Sequence, residues 1–368
     1  MSARFRFELA RESDEPALRN ILRNTSMQGD VSLSFEREPN YLMAERLGNV
    51  RTQIVVGRDT VTGDIVGCGS RSIREAYVDG RSMRIGYLGG LRILPEAQGG
   101  SLLVRGYRLF RSLHEDNEVP FYITSILNGN ARAEKALTGA RAGLPIYAPL
   151  GKMITGLIPL VRFRSRRSTG VVRMAECSHD VSDVVGTINA YNRRWQFAPA
   201  YSEDDFRGGV KLRGFSAENL YVRSNDGEIL GTIGVWDQHD FKQTVIRSYS
   251  GLLTRMRPFY NLYAVSCAIP QLPPVGSFVR NLYGSFASVK DDDPVVFRSL
   301  LDAVRRDWSG KGYSYLTVGF HEAHPLARML VRQSARVIKS TLYLVHWPDD
   351  GQRFELSRRI PHVEISTL

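Results

Sequence analysis

Hydrophobic and polar positions along the first 160 residues predict strands and helices in turn. The block from Ile85 to Leu94 is apolar with glycine breaks, which is typical of a buried strand, and Pro95 ends it because proline gives no N–H to a ladder. Apolar positions then recur at helical spacing from Leu102 to Leu113, with arginines on the opposite face. The predicted order up to residue 161 is strand, helix, helix, three strands, helix, strand, helix, strand.

The second half repeats this order loosely. A hairpin is predicted across Asp226 and Gly227, and Asp293 is predicted to cap a helix that begins with Pro294. Residues 162–170 are polar, basic and rich in small residues, so we predict a linker there. A shared element order at low residue identity indicates an internal duplication, with domains at residues 1–161 and 171–368.

The turn between the Ile85 strand and the following helix carries candidate binding chemistry. A glycine turn at a helix start directs several backbone N–H groups at one place, where the helix dipole favours negative charge. Gln98, Gly99, Gly100 and Ser101 form this turn, and the arrangement suits a pyrophosphate. The alternative is an ordinary strand-to-helix connection in which Ser101 caps the helix.

Composition is that of a soluble globular protein, with 43% hydrophobic and 24% charged residues. The three cysteines are far apart and odd in number, which indicates a reducing compartment without disulfides or a zinc site. The N-terminus lacks the apolar run of a secretion signal, and Ala148–Val161 is too short to cross a bilayer. We therefore expect a cytoplasmic protein with no membrane partner.

The formal charge of +11 attracts anions, whether nucleic acid, an acidic membrane or a phosphorylated cofactor. The arginines are spread along the chain and are dense only at 162–167, so nucleic-acid binding is an alternative that rests on charge alone. His321 and His324 are one residue too close for the zinc-binding HExxH pattern, and no metal site is predicted.

Three segments together resemble the GNAT acyltransferase superfamily. They are RESDEPALRNIL at 11–22, LRILPEAQGGSLL at 91–103 and NARAEKALTGARAGLPIY at 130–147. The resemblance covers most of residues 1–160, whereas residues 170–368 resemble the family only in element order. It implies an α+β (α/β) fold of two tandem GNAT-like domains, each with a mixed, mostly antiparallel central sheet flanked by helices.

The resemblance also implies a site for acetyl-CoA or another acyl-CoA as co-substrate. The backbones of Leu91, Arg92 and Ile93 would lie along the pantetheine arm, and Asn130 would contact the cofactor unless it only caps its helix. Ser101 and Leu103 stand where the family has small residues, and Gly99 and Gly100 compensate one position early. The implied pyrophosphate loop consists of Gln98, Gly99, Gly100, Ser101, Leu102 and Leu103.

The implied reaction is direct attack of a small-molecule or peptide amine on the thioester, which makes the chain an N-acyltransferase with an active first domain. A backbone N–H near Ile93 would polarise the carbonyl. Glu36 is the candidate base, with Glu38 as its alternative. Tyr147 is the candidate acid, with Tyr122 as its alternative, because Leu137 stands where the family places a tyrosine.

The second half is predicted to have lost the cofactor. Asp291, Asp292 and Asp293 precede its helix and would repel a pyrophosphate, although a capped helix start also explains them. The alternative function for the whole chain is a non-catalytic acyl-CoA-binding or sensor protein on the same fold. The sequence does not identify the acyl acceptor.

Overall fold

The computed structural model describes residues 4–97, 102–139, 142–161, 170–267, 269–348 and 356–368. The strands are β1 Phe5–Leu9, β2 Val31–Glu36, β3 Arg51–Asp59, β4 Ile65–Val78, β5 Arg81–Ile93, β6 Tyr122–Leu127, β7 Ile146–Pro159, β8 Val171–Arg173, β9 Leu220–Asn225, β10 Glu228–Trp236, β11 Gln243–Tyr249, β12 Asn281–Val289, β13 Tyr315–His321 and β14 Arg336–His346. The α-helices are α1 Glu15–Asn24, α2 Tyr41–Ala44, α3 Leu102–His114, α4 Ala131–Thr138, α5 Val181–Asn192, α6 Glu203–Phe206, α7 Gly251–Cys267, α8 Pro294–Trp308 and α9 Ala327–Gln333.

Twelve strands form one sheet whose two ends mirror each other. The order is β1-β3-β4-β5-β6-β14-β7-β13-β12-β10-β9-β8. Counting inward from either edge gives equivalent strands, so β5 corresponds to β12 and β6 to β13. This order confirms the predicted mixed, mostly antiparallel fold of two similar halves, and it shows that their central sheets are joined into one.

The two halves exchange their last strands. β14, from the second half, lies between β6 and β7 and pairs antiparallel with both, for example Tyr343 with Thr124 and with Pro149. β7, from the first half, pairs in turn with β13. The proposed linker at 162–170 falls mostly outside the described residues, so the domain boundaries stay a prediction.

Alternating side chains of the sheet face two helical layers. Ile54 and Val56 pack with α1, whereas Val55 between them packs with α3, and we call these two sides the α1 face and the α3 face. In the second half, α5 covers the α1 face and α8 and α9 cover the α3 face. None of the described helices is long and apolar enough to span a membrane.

The scarcity of apolar residues in Ser26–Asn40 predicts a loop there, but the segment contains strand β2, so that prediction is wrong. β2 pairs with β11 of the second half in a separate two-stranded ribbon. Its buried positions are Ser32, Ser34 and Glu36, while its apolar residues are only half-buried. This reversed pattern explains why the hydrophobic positions carried no strand signal.

Candidate functional site

A wedge-shaped opening separates β5 and β6 in the first half. The two strands pair in parallel at only two positions, Gly86 with Tyr122 and Tyr87 with Ile123. The Thr124 hydroxyl then donates to the Leu88 carbonyl at 2.6 Å, which takes the place of the next ladder bond. Beyond Leu88 the strands diverge, and Gly89 to Ile93 are only half-buried.

A β-bulge distorts β5 at the mouth of this opening. The register with β4 shifts between the pairs Cys68–Arg92 and Ser70–Gly89. Gly90, within the bulge, has a φ of +62°, in the left-handed region that favours glycine. A Cβ at Gly90 would lie 3.3 Å from both the Ser70 Oγ and the Tyr41 hydroxyl, and 3.7 Å from the Glu45 Oε2. Three polar side chains therefore converge on the bulge.

These side chains belong to the α1 face. Glu45 Oε2 accepts from Ser70 Oγ at 3.2 Å, and Glu45 Oε1 lies 3.3 Å from Arg37 Nε. Burial raises the pKa of Tyr41 well above its ordinary value, so the phenol stays protonated. Burial also raises the pKa of the Cys68 thiol to about 12, which makes this cysteine a poor nucleophile.

A narrow crevice lined by apolar residues lies between α3 and the sheet. Leu91, Arg92 and Ile93 line it from the strand, and Leu102 and Leu103 line it from the start of the helix. The end of β5 and the start of α3 thus face one apolar crevice beneath the helix, and none of its lining residues belongs to β6. The half-buried edge of β5 beside the wedge-shaped opening is the surface that the sequence assigned to the acyl-CoA.

A second, small cavity lies on the α1 face beside the segment 362–368. Arg74 stacks on the Tyr87 ring at 4.0 Å and donates to the Thr367 carbonyl at 2.7 Å. Lys242 donates to the Ser366 and Leu368 carbonyl oxygens at 3.0 and 2.8 Å, and burial lowers the pKa of its ammonium well below the ordinary value. The charged residues that line the cavity are Arg74, Glu75, Lys211 and Glu364, and the apolar ones include Ile85, Ile123, Phe197 and Val363.

The predicted cofactor residues fall into three groups. Leu91, Arg92, Ile93, Leu102 and Leu103 come together at the crevice beneath α3. Asn130 is the N-cap of α4, where its Oδ1 accepts from the Ala133 N–H at 3.2 Å. The remaining loop residues, Gln98, Gly99, Gly100 and Ser101, lie outside the described residues.

The structure does not bring the predicted catalytic pair to the bulge. Tyr147, on β7, is buried with its hydroxyl 2.5 Å from that of Tyr107, and β14 separates its strand from β6. Glu36, on β2, accepts from Ser34 and from Arg247 of β11. Whether either residue acts in a reaction stays a prediction.

Sequence reasoning missed Tyr41, Glu45 and Ser70. One signal was available, because Tyr41 and Glu45 stand four residues apart in the predicted short helix and so share a face. The approach of Ser70 depends on strand pairing and leaves no trace in local sequence. Within the described ranges, no group of three or more His, Cys, Asp or Glu residues is placed to hold a metal ion.

The equivalent opening in the second half is filled by the chain itself. β12 and β13 pair in parallel from Asn281–Tyr315 to Tyr283–Thr317, and the bulge residue that corresponds to Gly90 is Phe286, with a φ of +56°. The Phe286 N–H donates to Glu364 Oε2 at 2.9 Å. Ile365 packs so closely on β13 that a Cβ at Gly319 would lie 1.9 Å from it.

The aspartates before α8 have structural partners. Asp293 caps the helix by accepting from the Val295 N–H at 2.7 Å. Asp292 is buried and accepts from Arg194 at 2.8 Å and from the Tyr191 hydroxyl at 3.0 Å. The prediction of a capped helix start is confirmed.

In each half, a bulged strand lies beside a parallel strand that splays away from it, and a helix covers the pair. This repeated arrangement defines the tandem GNAT fold, as the resemblance implied. A structure of Saccharomyces cerevisiae N-myristoyltransferase with bound myristoyl-CoA is similar to this chain at a TM-score of 0.61 and 10% identity. The match covers 99% of this chain and 86% of the N-myristoyltransferase chain. A GCN5-related N-acetyltransferase from Sphaerobacter thermophilus is similar at a TM-score of 0.57 and 13% identity, over 94% of this chain and 96% of the acetyltransferase chain.

A third similar structure is the GCN5-related glucosamine N-acetyltransferase region of a fungal multi-domain β-N-acetylglucosaminidase. The match covers 94% of this chain and 38% of the multi-domain chain, with a TM-score of 0.61 and 11% identity. No protein-family model matches the sequence, and no curated protein matches it significantly. At these sequence identities the structural similarity establishes the fold and not the function.

Proposed function

We propose that this chain is an acyl-CoA-dependent N-acyltransferase whose site lies in the first half. The observation that carries the proposal is the contrast between the two openings. In the second half, Glu364 and Ile365 fill the space beside the bulge. In the first half, the bulge at Gly90 faces an opening whose strand edge is half-buried and whose flank is an apolar crevice.

The second half also indicates what the bulge does. The Phe286 N–H already holds a carboxylate oxygen, so the local backbone is shaped to bind negative charge. The corresponding Gly90 N–H would polarise the thioester carbonyl oxygen as it gains charge during attack. This assignment moves the predicted donor from the neighbourhood of Ile93 to Gly90.

Glu45 and Tyr41 are the side chains we assign to proton transfer. Glu45 would take the proton that the attacking amine loses when its nitrogen bonds to the carbonyl carbon. Tyr41, protonated in its buried site, would give its proton to the sulfur as the carbon–sulfur bond breaks. Both lie at the bulge on the α1 face, which also holds the cavity beside the segment 362–368, so we place the acceptor amine on that face.

Calorimetry with acetyl-CoA and with myristoyl-CoA, followed by thiol release with a panel of small-molecule and peptide amines, tests the proposal. Glu45→Gln should bind the acyl-CoA normally and release thiol about 100-fold more slowly, because general-base catalysis contributes that order. Glu176→Gln, at an exposed glutamate far along the chain, is the matched control. Absence of acyl-CoA binding in the wild-type chain would end the proposal.

A non-catalytic acyl-CoA-binding or sensor protein is the second candidate. The contacts of Tyr147 with Tyr107 and of Glu36 with Arg247 favour it, because both predicted catalytic groups are occupied away from the bulge. Binding of acyl-CoA without thiol release from any amine, together with an unchanged Glu45→Gln variant, would support this candidate over the enzyme.

A further inference from the structure

Helix α7 carries an exposed apolar face that the proposed acyl transfer does not use. Six of its large apolar side chains are between 50% and 75% exposed, although exposed apolar residues usually occur singly. Four of them, Leu252, Met256, Phe259 and Tyr263, recur at helical spacing and form one stripe. The exposed set is Leu252, Met256, Phe259, Leu262, Tyr263 and Val265.

The opposite side of α7 is anchored by its own return loop. Arg257 Nε donates to the Leu272 carbonyl at 3.1 Å, and the Tyr260 hydroxyl donates to the Pro270 carbonyl at 3.3 Å. Asn261 bonds Leu272 through both its amide atoms, accepting from the N–H at 2.8 Å. The helix is therefore held in place with the stripe directed away from the sheet.

Charge along the same stretch has one sign. From residue 241 to residue 290 the sequence contains no Asp or Glu, but it contains Lys242, Arg247, Arg255, Arg257, Arg280 and Lys290. Arg255 and Arg280 are exposed, as are Val275 and Phe278 on the return loop. Apolar side chains flanked by cations are typical of helices that lie in the interface of an anionic membrane.

The topology places α7 on the edge of the sheet where the first-half opening lies. β5 and β6 are parallel, and each step from β6 through β14 and β7 to β13 is antiparallel, so β13 begins on the edge where β5 ends. Burial and the neighbouring Tyr260 of α7 raise the pKa of Tyr315, the first residue of β13. The exposed helix and the opening thus share one side of the molecule.

We propose that the exposed face of α7, with Arg255 beside it, docks onto an anionic lipid surface. The exposed cations decide between this partner and a second copy of the chain, because a symmetric contact through α7 would bring Arg255 and Arg280 of two copies together with no acidic residue on the helix or its return loop. An anionic bilayer offers both the apolar layer and the opposite charge. The proposal departs from the expectation of no membrane partner, which rested on the lack of a membrane span, because a helix that lies in the interface does not need one.

Co-sedimentation of the full chain with vesicles tests this docking. Vesicles of phosphatidylcholine with phosphatidylglycerol should pellet the wild-type chain, and vesicles of phosphatidylcholine alone should pellet much less. The double variant Phe259→Ser/Leu262→Ser should bind at least about tenfold more weakly because two large apolar side chains no longer enter the bilayer. Arg255→Glu should weaken binding several-fold and reduce its salt dependence.

Val61→Ser is the matched control, since Val61 is 81% exposed in the turn after β3, outside the α7 face. It should sediment like the wild type, and circular dichroism melts should show that all variants fold. Equal binding by the double variant, equal binding to neutral vesicles, or no binding to either kind would overturn the proposal. A dimer in analytical ultracentrifugation that the double variant loses, without vesicle binding, would assign the face to a second copy.

Discussion

Gly90→Ala separates the chemistry of the bulge from its stability. Gly90 has a φ of +62°, and placing an L residue in this region costs roughly 1–2 kcal/mol. The new Cβ would also lie 3.3 Å from Ser70 Oγ and from the Tyr41 hydroxyl, a tight approach that displaces the bulge. Gly63→Ala is the matched control, because Gly63 has a φ of +82° and a Cβ added there would meet no atom within 4 Å.

The positive φ should cost both variants about 1 kcal/mol of unfolding free energy in urea titrations, since alanine also reduces the entropy of the unfolded chain, and the tight contacts should make Gly90→Ala the less stable of the two. Only Gly90→Ala should lose activity. Misplacing the polarising N–H by a fraction of an ångström is expected to lower kcat/KM for thiol release about 100-fold. Binding of acyl-CoA should weaken much less than the rate, because the strand end and the crevice beneath α3 are unchanged.

The comparison of the two glycine variants decides the outcome. Equal activity in Gly90→Ala and Gly63→Ala, with both variants folded at the assay temperature, would show that the Gly90 N–H does not polarise the carbonyl. A variant that binds no acyl-CoA at all would instead place the bulge in binding rather than in catalysis.

Three further predictions concern other parts of the chain. Arg71→Met should cost about 3 kcal/mol in urea denaturation, because fully buried Arg71 donates to both oxygens of partly exposed Asp116, and a loss below about 1 kcal/mol would contradict this. Burial lowers the pKa of His324 to about 2 and of His362 to about 4, from an ordinary 6.5. Below pH 6.5 only the unfolded chain gains these protons, so stability should fall by about 2–3 kcal/mol between pH 7.5 and 5.5, and His324→Gln should halve the fall. Gly100→Glu should abolish acyl-CoA binding in calorimetry without changing the thermal melt, and unchanged affinity would mean that the phosphates bind elsewhere.

Much of the fold was predictable because most elements bury a continuous apolar face. β5, α3 and the Asp293-capped α8 follow their patterns closely. The prediction from sequence failed at β2, which buries Ser32, Ser34 and Glu36 and so reverses the usual relation between hydrophobicity and burial. No helix was predicted at α7, although its apolar residues keep helical spacing and only their outward orientation is unusual.

The candidate site was predictable only where one continuous segment forms it. Leu91 to Ile93 and Leu102 to Leu103 adjoin in sequence and come together in the structure. Glu36 was expected on a solvated loop, but Arg247, far along the chain, forms an ion pair with it. The bond from the Phe286 N–H to Glu364 likewise joins residues 78 positions apart. Such long-range pairings depend on the topology of the sheet, which local patterns do not encode.

The exchanged strands have a consequence for biosynthesis. The register of β14 joins Ser340 to Leu127, so the middle of the sheet stays open until the ribosome has synthesised the chain beyond His346. During synthesis the amino-terminal half therefore has an unpaired strand edge at β6, and unpaired edges promote aggregation. A gene cut between residues 161 and 171 should yield two polypeptides that are insoluble when expressed alone and that become soluble when they are co-expressed.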